Sequence, residues 1–238
     1  MLNFRYHLLE KSFRFLSRYV KGRIEGLENL PPKGEGYVAA ANHRSFADAA
    51  ILPQTLVTAR KEPVHMVSYS ELFGKPVMGT ILRWAQGLVL DRGSREGIER
   101  FMRDARYVLT ERHECVGLHP EAHIQHTDKL GKGRPGAVQL CMDSGCPVVP
   151  IALFGTNVVV PMGTKRFELN IKRRALGFRA GKPLYFEKYR KAYDNGPPRA
   201  KKAILDGCTT LLMIELGKLT GQGYDHVGRS LERLKKYA

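Results

Sequence analysis

Tyr37-Val38-Ala39-Ala40-Ala41-Asn42-His43-Arg44-Ser45-Phe46-Ala47-Asp48 reads as a short apolar strand running into a polar turn. His43 and Asp48 stand five positions apart in it. Imidazole is the side chain best suited to exchange a proton near neutral pH. A carboxylate accepting from its second ring nitrogen fixes the tautomer and steadies the imidazolium. Five steps along one continuous helix would turn Asp48 about 140° away from His43. The two can therefore meet only if His43 lies in the turn and Asp48 in the first helical turn. Ser45-Phe46-Ala47-Asp48 also fits the S-x-x-D capping box, in which Asp48 does no more than hold backbone donors. Either way the order is strand, turn, helix.

Outward from this unit the same alternation continues. Residues 64–68 and 87–90 read as short strands, with a mixed helical and loop region over residues 71–86 between them. Pro53 is expected to shorten or kink the helix after the motif. Residues 95–112 have helical spacing, with Ile98, Phe101, Ala105, Val108 and Leu109 inward. Residues 115–118 form a strand, 135–144 a helix stopping at Gly145, and 148–154 another strand. Residues 165–182 alternate basic and apolar side chains as an exposed hairpin would, and residues 200–219 are helical. Strands alternating with helices predict an α/β fold, a single mixed and largely parallel sheet flanked by helices, with polar groups at strand ends.

Three segments are expected: an amphipathic helix over residues 1–22, an α/β core over 23–195, and a helical and basic tail over 196–238. In the first, Leu2, Tyr6, Leu9, Phe13, Leu16 and Val20 form one stripe, and Arg5, Lys11, Arg14, Arg18 and Lys21 lie mostly off it. That layout suits either packing on the domain or lying in a membrane interface.

The 238 residues carry 39 Lys+Arg against 23 Asp+Glu, a net charge of +16. Such an excess predicts an anionic partner, whether a phospholipid surface, nucleic acid or a phosphorylated substrate. Neither an aromatic-interleaved RNA motif nor a recognition-helix signature is present, so nucleic acid is not expected. Cys115, Cys141, Cys146 and Cys208 form no C-x-x-C pair, and no secretory signal precedes them, so reduced thiols and a cytoplasmic location are expected. The longest uncharged run, residues 145–164, is broken by Pro147, Pro150 and Pro161, so membrane contact should be peripheral.

Two further strand ends carry polar groups: Asp91-Arg92-Gly93 and His119-Pro120-Glu121. Arg92 follows an apolar strand, is suited to bidentate contact with phosphate, and precedes Gly93, where backbone can approach a ligand. Glu121 sits on a rigid turn, able to accept from a substrate hydroxyl or to pair with Arg92. Gly131-Lys132-Gly133-Arg134-Pro135-Gly136 matches G-x-G-x-x-G but follows a polar loop rather than a strand, so dinucleotide binding is not expected. His119, His123 and His126 lack the helical H-E-x-x-H pattern, and no metal is expected.

Taken in order, these blocks resemble the glycerolipid acyltransferases, the family of 1-acylglycerol-3-phosphate acyltransferase. Asn42, His43 and Asp48 match its Asn-His-x4-Asp. Leu72-Phe73-Gly74 and then residues 87–93 match its Phe-Gly and Arg-Gly block. His119-Pro120-Glu121-Ala122-His123-Ile124 stands where the family has Phe-Pro-Glu-Gly-Thr and a basic residue. Residues 147–152 match its Val-Pro strand, and residues 26–31 its Gly-Leu-Glu-Asn-Leu-Pro lead-in. The resemblance spans about residues 22–190.

It implies an enzyme that moves a fatty acyl group from acyl-CoA or acyl carrier protein to a lysophospholipid hydroxyl, with no cofactor and no acyl-enzyme. Under that reading His43 is the base and Asp48 orients it. Asn42, Arg92, Gly93, Pro120, Glu121 and Arg134 bind substrate, Arg92 at the acceptor phosphate and Glu121 at its glycerol. The expected location is the inner face of the cell membrane, on anionic phospholipid. The preferred acceptor is 1-acylglycerol 3-phosphate. Ile124 in the basic position leaves Arg92, Lys132 or Arg134 to hold phosphate, or points to another acceptor such as glycerol 3-phosphate or an amino-lipid. A non-catalytic basic lipid-binding protein is the remaining alternative.

Overall fold

A computed structural model of the chain describes Lys11, residues 23–161 and residues 176–238. Nearly all of the amphipathic helix expected over residues 1–22 lies outside the described residues. The described strands are β1 (Ile24–Glu25), β2 (Tyr37–Ala41), β3 (Val64–Tyr69), β4 (Leu88–Leu90), β5 (Cys115–Leu118), β6 (Val148–Phe154) and β7 (Gly177–Ala180). They form one seven-stranded sheet in the order β1-β7-β6-β2-β5-β3-β4. Every pairing is parallel except β6 with β7. The helices are α1 (Asp48–Arg60), α2 (Ser70–Phe73), α3 (Pro76–Trp84), α4 (Arg95–Thr110), α5 (Gly136–Ser144), α6 (Thr156–Val159), α7 (Glu187–Asn195), α8 (Pro198–Thr220) and α9 (Ser230–Leu234).

β2 is central and buried along its whole length because helices cover both faces of the sheet, as parallel sheets require. Its alternation sorts the core. Val38 and Ala40 join Phe101, Leu140, Ile204 and Leu212 on one face. Tyr37, Ala39 and Ala41 join Leu52, Leu56 and Val57 of α1 on the other. Burying leucines such as Leu52 and Leu56 so completely stabilises the fold by about 1.5–3 kcal/mol each. α5 ends where expected: Gly145 adopts φ 78°, a left-handed conformation that glycine takes without a Cβ clash.

Three expectations change. α1 runs through Pro53 for its full 13 residues, its other side held by Leu52, Leu56 and Val57 in the core. Ile98 is exposed; Gly97 turns inward instead, so close to Asp91 that a Cβ would stand 2.6 Å from that residue's Cβ. The described part of residues 165–182 is no exposed hairpin, since β7 lies inside the sheet between β6 and β1 with Phe178 and Ala180 buried. Its alternating pattern is genuine; what covers the apolar side is the neighbouring layer.

Candidate active site

The chain leaves the carboxyl end of β2 at Asn42, crosses a five-residue turn over residues 43–47 and enters α1 at Asp48. His43 Nδ1 lies 3.0 Å from Asp48 Oδ2. A carboxylate only accepts, so Nδ1 carries the proton and Nε2 keeps its lone pair. The same oxygen accepts from the backbone N–H of Arg44 (2.6 Å) and of Ser45 (2.7 Å). One carboxylate oxygen thus takes both the His43 ring and the backbone donors of the turn, while the other half of the capping box is not formed: the Ser45 hydroxyl accepts from Ala47 N–H, and Asp48 N–H goes to the Ser45 carbonyl. Burial acts to raise the Asp48 pKa, but the hydrogen bond from His43, the His119 ring, the Thr156 hydroxyl and the Ser45 amide outweigh it and hold it below its usual value. Thr156 Oγ1 acts by proximity and makes no hydrogen bond of standard geometry. The His43 side chain is part-exposed, whereas Asp48 is sealed. Ser45 is fully buried, with its hydroxyl donating to the Val160 carbonyl at 2.9 Å, which leaves it no part as a nucleophile.

His119 stacks on His43 with ring centroids 4.0 Å apart and planes within 8°. Its Nδ1 donates to the carbonyls of Ala41 (3.0 Å) and Asn42 (3.1 Å). Burial first, and then the charge of His43, push its pKa down to about 4, so His119 is neutral near pH 7 and backs the His43 ring. Among the described residues no three His, Cys, Asp or Glu side chains group as metal ligands.

Glu121 is buried, and both of its oxygens face backbone amides: Oε1 accepts from His43 N–H at 2.8 Å and Oε2 from Gly131 N–H at 2.6 Å. Burial raises its pKa against the pull of those amides and of the nearby His43. No ion pair with Arg92 forms, because the carboxylate is already committed to the backbone. Gln125 N–H donates to the His43 carbonyl, and Arg134 N–H to the Pro120 carbonyl, both at 2.7 Å. The loop after β5 therefore wraps the histidine turn, with Glu121 as its clasp.

Asn42 is equally committed. Its Oδ1 accepts from Leu153 N–H at 2.7 Å, and its Nδ2 donates to the Leu153 carbonyl and to Gln222 Oε1. Gln222 comes from the segment after α8, which is tied to the same loop through Leu130 N–H to the Gly223 carbonyl and through Lys129 with Asp225. Sequence reasoning missed Gln222, which lies 180 residues from Asn42 and carries no local signal.

On the other side of the loop, the Arg92 guanidinium lies 3.8 Å over the ring of Tyr69. Tyr69 donates to the Ala122 carbonyl at 2.6 Å, directly after Glu121. Burial raises the Tyr69 pKa, while the charge and hydrogen bond of Arg92, and then the charge of Arg134, pull against it. Tyr69 is a second residue not singled out from sequence; it closes β3, where a strand-end tyrosine could have been noted. Gly93 N–H turns back to Asp91 Oδ1 at 2.8 Å and is not free for a ligand. An apolar groove of about 200 Å³ begins at Phe46, beside the histidine turn, and runs between α1 and α3 past Ala50, Pro53, Val57, Met66 and Leu82.

A histidine–carboxylate pair at a strand end, with a guanidinium group and an apolar groove nearby, agrees with what comparison finds. The acyltransferase family profile matches residues 21–154, more than half of the chain. The chain belongs to the acyltransferase family. A chloroplastic 1-acyl-sn-glycerol-3-phosphate acyltransferase of Brassica napus is 29% identical over 170 residues, covering 67% of this chain and 45% of the relative. Its counterpart in Arabidopsis thaliana is 29% identical over 170 residues, covering 67% and 44%. This chain thus matches less than half the length of these curated relatives. The crystal structure of the 1-acyl-sn-glycerophosphate acyltransferase PlsC from Thermotoga maritima shares the fold, with a TM-score of 0.57 at 19% identity over 89% of this chain and 79% of that one.

The third acyltransferase block departs from its family where backbone geometry matters. Ala122, in the position of the block's glycine, adopts φ 63°. A Cβ in the left-handed region costs about 1–2 kcal/mol. Ala122→Gly is accordingly expected to raise unfolding stability by about 1 kcal/mol, less the entropy glycine adds to the unfolded chain, as read by urea denaturation.

Proposed function

We propose that this acyltransferase moves a fatty acyl group from a thioester, acyl-CoA or acyl carrier protein, to the free hydroxyl of a lysophospholipid, with 1-acylglycerol 3-phosphate as the acceptor and phosphatidate as the product. The observation that carries this reading is the His43–Asp48 pair, with Nδ1 bonded to the carboxylate and Nε2 left as a base. Nε2 takes the acceptor's hydroxyl proton as the oxygen attacks the thioester carbonyl carbon. The C–O bond forms, the C–S bond breaks as the tetrahedral intermediate collapses, and the imidazolium returns the proton to the leaving thiolate. Transfer is direct, with no acyl-enzyme, in keeping with the buried and engaged Ser45 hydroxyl. The apolar groove at Phe46 takes an acyl chain, and Arg92 with Arg134 holds the acceptor phosphate. Glu121 and Asn42 shape the turn through backbone contacts rather than touching substrate. Among the described residues no helix is long and apolar enough to cross a membrane, and a basic chain meeting two anionic substrates works at the surface of an anionic membrane.

The acceptor is tested by offering purified protein acyl-CoA with 1-acylglycerol 3-phosphate, glycerol 3-phosphate, and uncharged and amino-lipid acceptors, with products identified by mass. Arg92→Ala is expected to raise the KM for the phosphorylated acceptor about tenfold or more, equivalent to losing about 1.4 kcal/mol of binding. The KM for an uncharged acceptor should hardly change. An unchanged KM for the phosphorylated acceptor would remove Arg92 from the phosphate site.

A further inference from the structure

Large apolar side chains exposed singly are ordinary on a protein surface; several around one opening are not. Phe46 is 68% exposed, Val77 74% and Met78 44%. Phe46 and Met78 both line the apolar groove, and Val77 stands beside Met78 in the first turn of α3 without lining it. The inner side of the same helix, Ile81, Leu82 and Ala85 at its end, forms a wall of the groove. The apolar lip is therefore continuous with an apolar interior.

Charge around this lip is mainly basic. Lys75 precedes α3 and Arg83 lies on it, with Glu71 of α2 as the acid of the pair of helices. Tyr69, which carries Arg92 over its ring, runs directly into α2. Cationic groups and an apolar rim on adjoining segments match the order of a lipid leaflet, headgroup phosphates outside and acyl chains within.

We propose that Phe46, Val77 and Met78 form a lip that inserts into the surface of an anionic phospholipid bilayer and joins its acyl layer to the groove. The docking surface rests on the exposure and charge just described, and its use for substrate entry rests on the acyl-transfer reading. Lipid chains then pass between leaflet and groove without crossing water.

The test is co-flotation of the full chain with vesicles of phosphatidylcholine and phosphatidylglycerol. Val77→Glu, at an exposed position outside the groove, is expected to lower the vesicle-bound fraction by about tenfold, given the cost of placing a charge in the interface. Its transfer between short-chain, monomeric substrates should match the parent protein. Lys75→Glu is expected to weaken binding to the anionic vesicles but not to pure phosphatidylcholine. The chain has one tryptophan, Trp84, so Val77→Trp combined with Trp84→Phe makes the lip its own reporter. On binding, its emission is expected to shift to the blue and to be quenched by phosphatidylcholine brominated on the acyl chains. Parental flotation by Val77→Glu, or bound protein whose lip tryptophan is neither shifted nor quenched, overturns the proposal. Absence of transfer to any acceptor by the parent protein would sink the acyl-transfer reading while flotation still judges the docking surface.

Discussion

His43→Ala is expected to lower kcat/KM for acyl transfer by about 10²–10⁴-fold, the usual contribution of a positioned general base and about 3–5 kcal/mol of barrier. No other described group is placed to take over. His119, the neighbouring imidazole, is turned by its Nδ1 hydrogen bonds to two backbone carbonyls and has its Nε2 shielded from solvent. Ser45 is buried and engaged. Glu121 spends both oxygens on backbone amides. The His43 side chain anchors little of the core, so the variant should fold, and loss of rate at near-parental thermal stability separates chemistry from folding. Steady-state transfer assays beside a thermal melt make the comparison.

Asp48→Asn is expected to cost a similar factor, about 10²–10⁴-fold in rate, with only a modest loss of stability. An asparagine oxygen in the place of Oδ2 still accepts from the Arg44 and Ser45 amides, and its new N–H₂ falls on the side of the Thr156 hydroxyl. What disappears is the negative charge that holds the Nδ1–H tautomer and stabilises the imidazolium in the transition state. Asp48→Ala should lose rate and stability together, because two amides lose their acceptor at about 1–3 kcal/mol each. The pH dependence follows from the lowered Asp48 pKa. A carboxylate held below its usual 3.8 contributes stability that is present above that value and lost as pH falls through the folded one. The difference between the parent protein and Asp48→Asn in denaturant midpoint should therefore be largest near neutrality and shrink in acid.

The strand-turn-helix unit and the contact between His43 and Asp48 were legible because the evidence for them is local. An apolar run ends at Asn42, and a five-step spacing admits one geometry in which His43 and Asp48 meet. The parallel sheet followed from alternating strand and helix patterns. What was not legible depends on distant partners. Glu121 reads as a free carboxylate on a turn; only the fold brings the amides of His43 and Gly131 to it. Asn42 reads as a polar group free at a strand end; only the fold brings the Leu153 backbone and Gln222 to its amide. Periodicity marked β7 as alternating but could not show that the next layer covers Phe178 and Ala180. Pro53 was expected to shorten or kink α1; the helix is not shortened, its opposite side being held by Leu52, Leu56 and Val57 in the core.

The most direct test of the account is transfer of an isotopically labelled acyl group from acyl-CoA to 1-acylglycerol 3-phosphate by the purified chain and by His43→Ala, with the lipid product weighed by mass spectrometry. The account predicts labelled phosphatidate from the parent protein and a yield lower by two orders of magnitude or more from the variant. Labelled phosphatidate formed equally fast by both proteins would contradict it.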